Sequence, residues 1–285
     1  MDDALRQRLE ALNRGALPAS SSARVATSMG GRPVAAATSP SRSAWRGGTV
    51  KHLPGLVRRG GVVVNEVGEH WRVLLAVDEI WPGGEELVRR RAAAMAAKPA
   101  SEGVDADWTA ELPDGVLFLD LETCGLGGSA LFLAGLLRAV DGRLAVELLL
   151  ARDYSEESAV LASLWQRLEG AATIVTFNGK SFDWPMVVDR SRRHLLVLGA
   201  MTAPRHVDLL HLARRRWRSQ LPDCKLQTLE RHICGRMRTD DLPGSQIPAA
   251  YQQYVRTGFE REMDAILLHN AIDLVTMLDL AMRLA

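Results

Sequence analysis

Cysteine is scarce in this chain, with three residues in 285, at positions 124, 224 and 234, and no CxxC pair among them. That spacing gives neither a disulfide framework nor a zinc knuckle, so buried reduced thiols are expected and no disulfide-linked partner. Long apolar runs are missing too. No stretch of 18 uncharged apolar residues occurs, which gives no expectation of a membrane span. The opening MDDALRQRLEAL is acidic and amphipathic and lacks the basic lead and apolar core of a secretory signal, so a cytoplasmic protein is expected. Acidic residues are absent from Ala11 to Asn65, while Arg14, Arg24, Arg32, Arg42, Arg46, Lys51, Arg58 and Arg59 fall there. Residues 19–50 are rich in Ser, Ala, Gly and Pro without an apolar period. Residues 1–56 are thus expected to be a basic, mostly disordered arm with a short helix at its start. Such an arm is either a hold on a polyanion through counterion release or a solvated linker, since arginine outnumbers lysine along the whole chain.

What is present suffices for a full core: 47% of residues are hydrophobic and the net charge is only +1. The run GGVVVNEVGEHWRVLLAV at 60–77 alternates apolar and polar residues about a Gly-containing turn, the pattern of a hairpin. A short helix over 85–97 and a polar connector over 98–114 follow. Residues 57–114 are therefore expected to form a small hairpin and helix region with a linker, and 115–285 a second domain. In that domain, apolar runs at 116–119, 131–140 and 144–150 predict three antiparallel strands, the last two joined by Asp141-Gly142. A helix opening near Ser155, a strand over 173–177 and a long helix over 260–284 complete the pattern. The order β-β-β-α-β-α predicts an α/β fold, a mixed sheet with flanking helices.

Three segments of this domain carry carboxylates: DLETCGL at 120–126, FNGKSFDWP at 177–185 and HNAID at 269–273. They supply Asp120, Glu122, Asp183 and Asp273. Carboxylates gathered in one cleft repel one another and take up protons unless a cation sits among them. Hard divalent cations take such oxygen ligands, and two of them about 3.5–4 Å apart activate a water and neutralise a departing phosphate oxygen. The expected cofactor is therefore a pair of Mg²⁺ or Mn²⁺ ions. Each residue also has a plainer reading. Asp183 before Trp184-Pro185 suits a helix cap, Glu122 suits a turn, and Asp208 suits a cap on the helix starting at Leu209. Asn178 either shapes its loop or holds a substrate backbone. Lys180 is either a phosphate contact or a solvated charge, and Trp184 either stacks on a base or packs at a helix start. Arginines at 190, 192, 193, 214–216, 218, 231, 236 and 238 gather near the motifs and suit a nucleic-acid strand.

The three motifs, in order and each after the expected element, resemble those of the DEDD exonuclease group of the ribonuclease H-like superfamily. FNGKSFDWP is similar to the version found in family B polymerase proofreading domains. The set GLGG, FLAGLL, DLLHLARRRW, LQTLE, DLPGSQIPAAY and HNAIDL resembles the YprB-like ribonuclease H-like domain family of bacteria, over about residues 115–284. The resemblance implies a ribonuclease H-like sheet and a metal-dependent 3′ to 5′ exonuclease acting on single-stranded nucleic acid. It implies Asp120, Glu122, Asp183 and Asp273 as metal ligands and His269 as the group that orients or deprotonates the attacking water. His269 lies four residues before Asp273, the spacing of tyrosine-type members, whereas histidine-type members use five. Cys124 stands where the first motif usually has Thr. Two other readings keep the fold: a silent nucleic-acid-binding module, and an endonuclease using the same acids.

Overall fold

The computed structural model describes residues 53–97, 108, 111–125, 129–196, 205–239 and 241–284. The arm and initial helix expected before residue 53, most of the 98–114 connector and the middle of the 125–131 loop lie outside the described residues.

The expected hairpin is present as β1 (Gly61–Asn65) and β2 (Gly68–Ala76). Two helices follow, α1 (Val77–Ile80) and α2 (Gly84–Ala96). Then come the three antiparallel strands, β3 (Val116–Thr123), β4 (Leu131–Val140) and β5 (Arg143–Leu150). Asp141 and Gly142 have φ values of 49° and 75°, the left-handed pair that lets a two-residue turn match strand twist. Next are α3 (Glu157–Leu168), β6 (Thr173–Thr176), α4 (Asp183–Arg193), β7 (Arg205–Asp208) and α5 (Leu209–Trp217). A short α6 (Leu226–Leu229) runs into a π-helical turn over Glu230–Cys234, and α7 (Ile247–Thr257) and α8 (Glu260–Leu284) end the chain.

The strands form one sheet in the order β1-β2-β5-β4-β3-β6-β7. From β1 to β3 all neighbours are antiparallel, whereas β3, β6 and β7 run parallel. The hairpin therefore does not make a sheet of its own. Its β2 pairs with β5 from Trp71–Leu150 to Ala76–Ala145 and extends the sheet past the three strands that carry the first motif.

Strands β4 and β5 are apolar almost without alternation because both of their faces are covered. α3 packs on one side of the sheet and α8 on the other. The one acid inside this apolar layer, Glu147, is wholly buried and held by Arg72, Arg138 and Arg167 at 2.8, 2.9 and 3.0 Å. Helix α8 has the length and composition to cross a membrane, but 83% of its most apolar window is buried within this fold. It is the core helix of the sheet, and the positions it turns toward β3 carry the third motif.

Candidate active site

Strand β3 delivers the first two acids. Successive strand side chains alternate faces, so Asp120 and Glu122 share one. The strand breaks register with β4 between Glu122 and Thr123, where regular pairing would otherwise continue past the motif. Asp120 stands opposite Gly135 of β4. A Cβ at 135 would lie 1.7 Å from the Asn270 Oδ1, so this position accepts no side chain. Across that gap Asn270 Nδ2 donates to Asp120 Oδ2 at 2.8 Å, tying α8 to β3.

Asp183 arrives from the other side. It is the first residue of α4, and its side chain does not cap the helix; Oδ1 instead accepts the Leu121 amide at 3.2 Å. Gly179 makes this approach possible, since a Cβ there would come 2.8 Å from Asp183 Oδ2. The loop before α4 is held by Asp208 at the end of β7. Its Oδ1 accepts the Asn178 amide at 2.8 Å and the Leu210 amide at 3.0 Å, and its Oδ2 accepts the Lys180 amide at 3.2 Å. Asp208 thus caps α5 as expected and also latches the second motif. Asn178 takes a φ of 66°, a left-handed conformation that asparagine tolerates better than most residues.

Helix α8 supplies His269, Asn270 and Asp273 from one face, as spacings of three and four residues require. His269 Nε2 lies 3.4 Å from Asp273 Oδ2, and His269 Nδ1 lies 2.8 Å from Asp241 Oδ1. Arg238, with a side chain only 6% exposed, binds Glu230 Oε2, Asp273 Oδ1 and, at 3.3 Å, Asp241 Oδ2. A cavity of about 860 Å³ adjoins this network, lined in part by Arg58, Arg238, Asp241, Phe259 and Ile272 but by none of the four acids.

The electrostatics follow from the crowding. Burial, then Asp273, Glu122 and Asp183, raise the Asp120 carboxyl well above the ordinary range. Glu122 is pushed up to about 8 by burial and by Asp273 and Asp183, with His269 and a hydrogen bond from Asn270 pulling the other way. Asp183 is raised to about 7 by burial, against the hydrogen bonds from its own amide and that of Leu121. For His269, burial disfavours the imidazolium, but Asp241, Asp273 and Glu122 outweigh it and lift the group to about 8. Crowding and burial thus favour the protonated forms of Asp120, Glu122 and Asp183, a preference that a bound cation would reverse. Their donors are all hard oxygens, which suits Mg²⁺ or Mn²⁺. Among the described residues no three His, Cys, Asp or Glu side chains are gathered tightly enough to grip an ion as they stand. Asn270, the Leu121 amide and Arg238 each hold one carboxylate, so ligation would require those side chains to turn.

Other expected site residues lie elsewhere. Trp184 packs edge-on to Trp165 of α3 and His206 of β7, with ring centroids 5.6 and 6.0 Å away, which is its packing alternative. Lys180 is exposed. Three of the arginines expected along a nucleic-acid strand are committed inside the protein. Arg190 pairs with buried Glu157, Arg236 with buried Asp279, and Arg238 with Glu230 and Asp273. Arg214, Arg215, Arg216 and Arg218 are exposed. Asn270 and Asp241 were not singled out from sequence. Asn270 sits inside the third motif, but only its fit over Gly135 reveals its role.

A mixed sheet with three antiparallel strands β3, β4 and β5, and with acids on the second half of β3, at the start of α4 and midway along α8, defines a ribonuclease H-like α/β protein of nuclease type. A family model described as the RNase_H superfamily matches residues 117–285, and the chain belongs to that superfamily. It is 32% identical over 176 residues to "Uncharacterized protein YprB" of Bacillus subtilis (strain 168), a stretch that is 60% of this chain and 42% of that protein. The chain thus spans less than half of that relative's length. Among solved structures it is similar to the family B DNA polymerase of Pyrobaculum calidifontis, at 17% identity and a TM-score of 0.48, covering 59% of this chain and 24% of that one.

Proposed function

We propose that the protein is a metal-dependent nuclease that removes nucleotides from the 3′ end of single-stranded nucleic acid. The observation that carries this reading is the convergence of Asp120, Glu122, Asp183 and Asp273 from β3, α4 and α8, close enough that Asp183 and Asp273 raise the proton affinity of Asp120 and Glu122. A purely structural role gives no reason to bring four acids together. Asp120, Glu122, Asp183 and Asp273 would hold two Mg²⁺ or Mn²⁺ ions, which would activate a water and offset charge on the leaving oxygen. With cations offsetting the charges of Asp273 and Glu122 that help to raise it, His269 would be free to take the proton of that water. The exposed arginines of α5 and Lys180 would contact phosphates and position a strand without reading its sequence.

The test is to incubate the purified chain with 5′-labelled single-stranded DNA and RNA in Mg²⁺, Mn²⁺ or chelator, beside Asp120→Ala. A metal-dependent ladder shortening from the 3′ end, missing in the variant, supports the exonuclease. Cleavage at internal positions supports the endonuclease reading. A second reading, a silent nucleic-acid-binding module, draws on the grips of Asn270 on Asp120 and of Arg238 on Asp273. Salt-sensitive binding without cleavage of either polymer would favour it.

A further inference from the structure

The four-residue spacing between His269 and Asp273 sets the imidazole one helical step, about 100°, away from the five-residue arrangement. Something other than spacing must then aim the ring. Asp241 comes from the segment between the π-helical turn and α7, far from α8 in sequence, and its two oxygens have divided duties. Oδ1 accepts from His269 Nδ1 at 2.8 Å, while Oδ2 accepts from Gln227 Nε2 at 3.2 Å and from Arg238 Nη1 at 3.3 Å. The carboxylate is therefore anchored from one side and bound to the imidazole on the other. His269 is 6% exposed, so the ring has few other orientations open to it.

We propose that Asp241 is the positioning residue for His269: it keeps the proton on Nδ1 and turns Nε2 toward the acids. Both ring nitrogens face a carboxylate, but the 2.8 Å contact of Nδ1 with Asp241 is shorter than the 3.4 Å one of Nε2 with Asp273, so when the ring gives up a proton Nδ1 keeps its own and the lone pair falls on Nε2. Orienting partners of this kind usually act by excluding the wrong tautomer and ring flip, and their loss costs roughly 10–100-fold in activity. Asp241 itself touches neither the four acids nor the attacked bond. It meets the site through His269 and, on its other oxygen, through Arg238, which binds Asp273.

The kinetic consequence rests on the nuclease reading, whereas the tautomer does not, and the test separates them. The full chain is compared with Asp241→Asn, Asp241→Leu, His269→Ala and the double variant Asp241→Leu/His269→Ala. Nitrogen-15 spectra of the His269 ring, recorded on the alkaline side of its value of about 8 where the ring is neutral, should show Nδ1 protonated in the wild type and in Asp241→Asn, whose amide oxygen still accepts. In Asp241→Leu that preference should be lost. Turnover should fall about 10–100-fold in Asp241→Leu with KM unchanged, and less in Asp241→Asn. The double variant should be no slower than His269→Ala, because both substitutions disable one unit. Mn²⁺ affinity should be kept in Asp241→Asn, whose amide oxygen can still accept from Arg238. Multiplying losses in the double variant, or a neutral wild-type ring that carries its proton on Nε2 instead of Nδ1, would overturn the proposal. If no form of the chain cleaves nucleic acid, the nuclease reading falls and the ring spectra alone decide the role of Asp241. If Asp241→Leu does not fold, Asp241→Asn carries the test, and a ring freed from its tautomer in that variant would count against the assignment.

Discussion

Asn270 reaches Asp120 only because residue 135 has no side chain: a Cβ there would lie 1.7 Å from Asn270 Oδ1 and 3.0 Å from a methyl of Leu274. Gly135→Ala should therefore force α8 away from β4 and cost about 1–3 kcal/mol, the usual range for overpacking. The urea midpoint reads this directly. In an Asn270→Ala background the same substitution should cost clearly less, since the main clash is gone; equal costs in both backgrounds would disconnect the two positions.

Arg238 is a permanent cation in a pocket of acids, and its loss leaves Glu230, only 2% exposed, and Asp273 without their counter-charge. Arg238→Met should destabilise the chain by about 3–5 kcal/mol, the scale of breaking a buried ion pair by removing one partner. A divalent cation near Asp273 would replace part of that charge. Mn²⁺ is thus expected to raise the Tm of Arg238→Met more than that of the wild type, measured by thermal unfolding with and without chelator.

Stability without metal should fall as pH rises above ~6.5, since below that His70 and His206, both lowered by burial, titrate with the opposite sign. Glu122 at about 8, Asp183 at about 7 and His269 at about 8 all lie above their ordinary values, as does Asp120. The folded state consequently binds more protons than the unfolded one, which makes the slope of stability against pH negative. The carboxylate contribution is complete below pH ~4.5 and is lost toward pH ~8, and the His269 contribution is lost between pH ~6.5 and ~8. A Tm series in chelator should therefore decline over that window. Glu122→Gln, which cannot lose a proton there, should flatten it, and a saturating divalent cation should flatten it further. A rising Tm over the same window would mean that these acids ionise more easily when folded.

The strands from β1 to β6, the Asp141-Gly142 turn and α8 could be read from the sequence because each is set by local chemistry: alternation or an apolar run, two left-handed turn residues, or a 25-residue apolar helix. The four-residue β7 was not expected. The acids could be read because each falls within a short motif carried by one of those elements. What escaped depends on pairs far apart in the chain. Gly135 and Asn270 are separated by 135 positions, and nothing near either one announces the fit. Arg236 and Arg238 look like solvated cations until α8 brings Asp279 and Asp273 against them. Similarly, the alternation in β2 announces a strand but not that β5 will be its neighbour.

The most direct test of the acid cluster as a cation site is a calorimetric titration of the metal-free chain with Mn²⁺, beside Asp120→Asn and Glu122→Gln. Saturable binding by the wild type, abolished in Asp120→Asn and weakened in Glu122→Gln, is the predicted result. No binding by the wild type, or equal binding by Asp120→Asn, would contradict the account.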